Sequence, residues 1–145
     1  GMAVERSGIG DRTPERPRLL NSLLDTHFLI WIVLCSNRLS EHAWIDRFRP
    51  WGVSPVSFLE IQFLAEIGRA EVRNPEFTEA VMADSRFIVD EAPLVQLIRH
   101  ALELGWTRDP FDRLLAAHSS ARRVPLCTVD RTILEHHVFV ASEAR

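Results

Sequence analysis

A chain of 145 residues with 46% hydrophobic and 26% charged content has the size and balance of one globular domain able to bury a continuous core. A net charge of −3 excludes holding nucleic acid by bulk electrostatics alone, so a polyanionic partner needs a local device. All 17 basic residues are arginine, and the missing lysine removes P-loop nucleotide binding and Schiff-base catalysis.

Residues 1–18, "GMAVERSGIGDRTPERPR", are polar and lack the apolar stretch of a signal peptide, and the Gly-Met start reads as an expression scar. They are expected to form a flexible tail, with residues 19–145 as a single domain. An apolar strand is predicted over Leu19 to Leu24, passing at Asp25-Thr26 into the apolar helix "FLIWIVL", which reads as core. "SEHAWIDRF" predicts a short amphipathic helix with Ser40 as N-cap. A brief strand at Gly52 to Ser54 leads into a helix from about Ser57 to Ile67, stopped by Gly68. "NPEFTEAVMADS" predicts a helix and "RFIVD" a strand; Pro93 opens a helix to Leu104, closed by Gly105. Next come a helix to about Arg123, the strand "VPLCTVD", a short helix from Arg131 to Glu135 and a last strand, "HVFVA". Alternation of short apolar strands with amphipathic helices predicts an α/β fold, a parallel sheet covered on both faces. No apolar run reaches the roughly 18 residues of a membrane span. Cys35 and Cys127 each sit among apolar neighbours, which predicts buried free thiols and a reducing, cytoplasmic location.

In parallel sheets, ligands bind outside the carboxyl ends of the strands. Asp25 and Asp130 each end a strand there, and each also reads as the cap of the following helix. Glu60 heads a stripe with Ile61, Leu64 and Ile67 at helical spacing, so a carboxylate leads an apolar face. A buried carboxylate requires a cation, a raised pKa or a metal; a rim glutamate reaching solvent is the plainer alternative. In "WTRDPFDRLLAAHSS", Asp109 as N-cap places Pro110 at N1 and Asp112 at N3, on one face with Leu115, Ala116 and Ser119. That small apolar stripe predicts close packing on the sheet, with Asp112 pointing inward near the strand ends. Four acids converging on one edge would repel each other, and hard oxygen ligands of this kind suit Mg²⁺ or Mn²⁺.

These stretches, "LLDTH", the glutamate of "SPVSFLEI", "RDPFDRLLAAHS" and "LCTVD", resemble the four motifs of the PIN-domain ribonucleases, specifically the VapC-like toxins of toxin–antitoxin pairs. The resemblance runs from about Leu19 to Val140 and departs at Cys127, where an aliphatic residue is usual, and in its longer N-terminal tail. It implies a three-layer α/β/α sandwich, Mg²⁺- or Mn²⁺-dependent cleavage of RNA, a homodimer, and inhibition by a VapB-like antitoxin, with no DNA binding by this chain alone. Carried over motif by motif, the metal-binding and catalytic acids are Asp25, Glu60, Asp112 and Asp130. Thr26 and Thr128 match hydroxyl positions beside them that orient a carboxylate or bind metal-bound water.

On this reading Asp25, Glu60 and Asp112 hold one cation, and Asp130 completes the cluster or helps place a second. Arg108, Arg113 and Arg131, with Arg122 and Arg123, fall near the same edge as candidate phosphate contacts, a solvated surface being the alternative for each. Aspartate-nucleophile phosphatases also place an aspartate after the first strand, but they need a second one where His27 stands and a lysine that is absent. A catalytically inactive PIN fold serving as a binding module is the remaining alternative. The six histidines share no spacing suited to one zinc site, although His27 and His118 lie near the site by motif position.

Overall fold

The computed structural model describes residues 19–145, so the tail expected over residues 1–18 lies outside the described residues. Four strands, β1 (Ser22–Leu24), β2 (Trp51–Val53), β3 (Phe87–Val89) and β4 (Leu126–Cys127), form one parallel sheet in the order β3-β2-β1-β4. Register sets Leu23 against Gly52 on one side and Leu126 on the other. Six α-helices stand among the described residues: α1 (Thr26–Val33), α2 (Pro55–Glu66), α3 (Glu76–Ala83), α4 (Leu94–Ala101), α5 (Pro110–Arg122) and α6 (Arg131–His136).

Alternation along the strands divides the core in two. Leu23 and Leu126 pack with Leu115 of α5 and Ile133 of α6. Leu24, Trp51, Val53, Phe87 and Cys127 pack instead with Phe28, Leu29 and Ile32 of α1, Ile61 of α2, and Phe77 and Val81 of α3. Helices therefore cover both faces, and the fold is the three-layer α/β/α sandwich expected. Gly52 is needed at the β1–β2 junction, where an added Cβ would lie 2.5 Å from the carbonyl oxygen of Ser22. Ala116, Ala117 and Ser119 on α5 are wholly buried, as close packing of a small-residue stripe requires.

Three of the linkers from strand to helix are caps. Asp25 accepts from the Thr26 N–H, Ser54 from the Val56 N–H and Asp130 from the Ile133 N–H. Because the strands are parallel, all three caps lie along the same edge of the sheet.

Several expectations are corrected. The last strand shrinks to one parallel bridge between Leu126 and Val140, because β4 offers only two residues to pair with. "SEHAWIDRF" lies within a 3₁₀ segment, Asn37–Phe48, capped by Ser36 and kinked at His42; Ser40 donates to the Asn37 carbonyl instead of capping. Cys35 is exposed, since α1 ends at Val33 and the chain turns outward at positive φ (53°). Cys127 is buried as expected, and burial pushes its thiol up to about 12. The stripe headed by Glu60 ends at Leu64, because Ile67 has left the helix and is exposed.

Candidate active site

Asp25 joins β1 to α1 and is 6% exposed. Its Oδ1 accepts from the Thr26 N–H at 2.7 Å, and its Oδ2 accepts from the Thr128 hydroxyl at 2.6 Å. The Thr128 hydroxyl in turn accepts from the Asp130 N–H at 3.0 Å, so one side chain fixes the ends of both β1 and β4. Glu60, one turn into α2, is 9% exposed, and its Oε1 accepts from the Thr26 hydroxyl at 2.6 Å. Ser57, wholly buried, stands 3.0 Å from the same hydroxyl. Both threonines thus orient a carboxylate.

Asp109 caps α5, accepting from the N–H groups of Phe111 (2.8 Å) and Asp112 (3.2 Å). Asp112 is half-buried and faces a cleft of about 610 Å³ that is also lined by Glu60, Asp130 and Asp109. Asp25 does not line the cleft, yet its charge acts on both Glu60 and Asp112. Asp109 is therefore both the expected cap and a member of the acidic wall. Asp130 is exposed and caps α6.

Electrostatics shows the strain of this convergence. Burial raises the Asp25 carboxyl above its ordinary value against the opposing Thr128 hydrogen bond, and nearby Asp130 adds to the rise. Burial likewise raises Glu60, with Asp25 and Asp109 adding repulsion. Asp112 is pushed up to about 7, by burial first and then by Asp109, Asp25, Asp130 and Glu60. Hard oxygen donors under mutual repulsion fit Mg²⁺ or Mn²⁺ in chemistry. Among the described residues no three His, Cys, Asp or Glu side chains form a closed metal-ligand group, so they must converge on a cation to bind it.

The basic residues are distributed otherwise than the motif positions suggested. Arg113 donates to the backbone carbonyls of Thr107 and Ala101, and Arg122 binds Asp90. Arg123 ends α5 at positive φ. Arg108 and Arg131 are exposed but do not line the cleft, whereas Arg38 and Arg69 do. His27, Ile30, Trp31, Phe63 and Phe111 complete much of its wall. The spacing of His27, Ile30 and Trp31 at three and four residues marks one helix face, a signal legible in the sequence but absorbed into the core reading. His118 is not at the cleft; it is buried against Asp90.

Solved structures that resemble the chain include three toxin–antitoxin or VapBC assemblies. A toxin–antitoxin complex from Klebsiella pneumoniae aligns with a TM-score of 0.60 at 16% identity, covering 84% of this chain and 97% of that one. VapBC2 from Rickettsia felis, bound to a DNA fragment from its promoter, aligns with a TM-score of 0.55 at 15% identity over 82% and 94%. DNA-bound VapBC from Salmonella typhimurium aligns with a TM-score of 0.55 at 23% identity over 84% and 96%. At these identities the likeness is one of fold. No curated protein matches the chain. The PIN domain family model matches residues 22–137, a span that holds all four acids and every strand and α-helix described, and the chain belongs to the PIN-domain family.

Proposed function

We propose that this chain is a divalent-cation-dependent endoribonuclease, the toxin of a VapC-type toxin–antitoxin pair. PIN domains are generally nucleases. The observation that carries the reading is the cluster of Asp25, Glu60 and Asp112, delivered by three elements to one sheet edge and held above the ordinary carboxylate range. Such groups are costly to the fold without a cation.

Asp25, Glu60, Asp112 and Asp130 are the residues that would hold Mg²⁺ or Mn²⁺, which supplies Lewis-acid stabilisation of phosphate charge and a more acidic water. The protein's part is orientation. Thr128 and the Thr26 N–H fix Asp25, the Thr26 hydroxyl fixes Glu60, and the cap at Asp109 aims Asp112. Asp112 must release its proton before it can act as a ligand. A VapB-like antitoxin, a homodimer and a cytoplasmic location belong to the same proposal. The solved neighbours named as toxin–antitoxin or VapBC assemblies support the antitoxin, and any DNA contact is assigned to that partner. No described helix is long and apolar enough to cross a membrane.

The alternative reading is a PIN fold that binds without cleaving. Titrating the purified chain with Mn²⁺, then Mg²⁺, against a defined RNA separates the two. Metal-dependent fragments that vanish in the Asp25→Asn protein are expected. Cleavage retained by Asp25→Asn overturns the site, and no cleavage under either metal favours the binding module.

A further inference from the structure

We propose that the cleft continues beyond the acids as a track for single-stranded RNA, with aromatic and guanidinium platforms for bases and arginines for the backbone. The inference rests on the nuclease reading and assigns residues that the acidic motifs do not. Helices α1 and α2 both start at the acidic edge. One turn along the faces that carry His27 and Glu60 come Trp31 and Phe63, roughly 5 to 6 Å further on and both lining the cleft. Phe63 is 46% exposed and its ring lies 6.0 Å from that of Phe111 across the cleft wall. His42 stacks on Trp31 with ring planes 9° apart, and the Arg38 guanidinium lies 5.4 Å over the indole.

At the end of α2 the chain reverses at Gly68 (φ 76°), and the Arg69 N–H bonds back to the Leu64 carbonyl at 2.8 Å. This turn returns Arg69 to the cleft. Among the described residues neither Arg38 nor Arg69 pairs with a carboxylate, although exposed Glu71 follows in the same loop. The groove therefore has a cation-seeking acidic end, the exposed Phe63 ring and the half-buried Trp31 beneath Arg38 in the middle, and two arginines. A phosphodiester strand satisfies all three: phosphate at the acids, bases on Phe63 and on the Arg38–Trp31 stack, and further phosphates at Arg38 and Arg69. An acidic peptide would meet the arginines but would be repelled by the acids and would leave the rings without a stacking partner.

The experiment measures binding of a fluorescent single-stranded RNA of about ten nucleotides as a function of salt, in the Asp25→Asn background with Mg²⁺ so that cleavage does not intrude. Arg38→Ala with Arg69→Ala is expected to weaken binding about tenfold or more and to reduce the log–log salt slope by about 0.7 per arginine. Phe63→Ala is expected to weaken it about tenfold with the slope unchanged, while Phe63→Tyr restores it. Mn²⁺ affinity and melting temperature should stay the same, which separates a track from a structural role. RNA affinity and slope unaltered in the double arginine variant overturn the proposal. So does a loss confined to a poly-glutamate peptide probe. If the parent chain cleaves RNA and the variants are unaffected, the track alone falls; if it binds RNA through these residues but never cleaves, the nuclease reading alone falls. A parent chain that neither binds nor cleaves RNA overturns both.

Discussion

Asp109 and Asp112 stand three residues apart at the start of α5, and where the helix begins divides their roles. Asp109 spends its carboxylate on two backbone N–H groups, one of them that of Asp112, while the Asp112 side chain, at N3 and free of capping, turns into the cleft. Thr128 shows the same economy, donating to Asp25 and accepting from the Asp130 backbone with one hydroxyl. Replacing Thr128 by Val removes both bonds with little change in volume. Mn²⁺ affinity is expected to fall about 10- to 100-fold, as read by calorimetric titration. Unchanged affinity would mean that Asp25 holds its orientation from the Thr26 N–H alone.

Among the elements, α5 carries the most, since it presents Asp112 and packs on the sheet through small residues. A polar tie secures it to the end of β3. The His118 Nε2 donates to Asp90 Oδ2 at 2.7 Å, and the Arg122 Nε donates to the same oxygen at 2.6 Å. Burial alone would raise Asp90, but the Arg122 and His118 bonds outweigh it and hold the carboxyl below its usual range. His118 is wholly buried, and burial lowers its pKa despite Asp90; its Nδ1 has no partner among the described residues. Asp90→Ala therefore leaves a buried imidazole unpaired on both nitrogens. The expected cost is about 2–3 kcal/mol, measured by denaturant unfolding, with Asp90→Asn losing less because an acceptor remains. Equal losses for the two variants would show that the charge, not the hydrogen bond, secures α5.

For the whole molecule, two sets of buried groups give opposite dependences on pH. His137, buried with its Nε2 2.9 Å from Ser119 Oγ, is lowered by burial to about 4, and His118 is lowered as well. Their contribution to stability is fully present above about pH 6.5 and is lost as pH falls towards the folded values, by roughly 3 kcal/mol for His137 at about pH 4. Asp112 acts in the other direction. Its raised pKa stabilises the fold below the ordinary aspartate value, and that advantage is lost as pH rises towards about 7. A cation that takes up the deprotonated acids reverses this second loss only. Mn²⁺ is accordingly expected to raise the melting temperature more at about pH 7.5 than at about pH 5.5, and Asp112→Asn to flatten the metal-free decline between about pH 4 and about pH 7. A metal shift independent of pH would separate cation binding from Asp112.

Read alone, the sequence determined the α/β class, the parallel sheet and the cap at Asp109, because each rests on local chemistry: hydrophobic period, turn residues and helix geometry. It misplaced what depends on neighbours distant in the chain. Ser40 has a cap residue's chemistry, but its hydroxyl bonds Asn37 and the segment starts at Ser36. "HVFVA" alternates like a strand, yet finds a two-residue partner and pairs once. Arg113 follows an acid in the motif, but its guanidinium reaches the carbonyls of Thr107 and Ala101, a contact that exists only once α4 packs on α5. Trp31 reads as core within "FLIWIVL", and Phe63 falls outside the apolar stripe headed by Glu60. Only the packing of α1 beside α2 left their rings at an open cleft, because burial is a property of what an element meets, and no stretch of sequence carries its own neighbours.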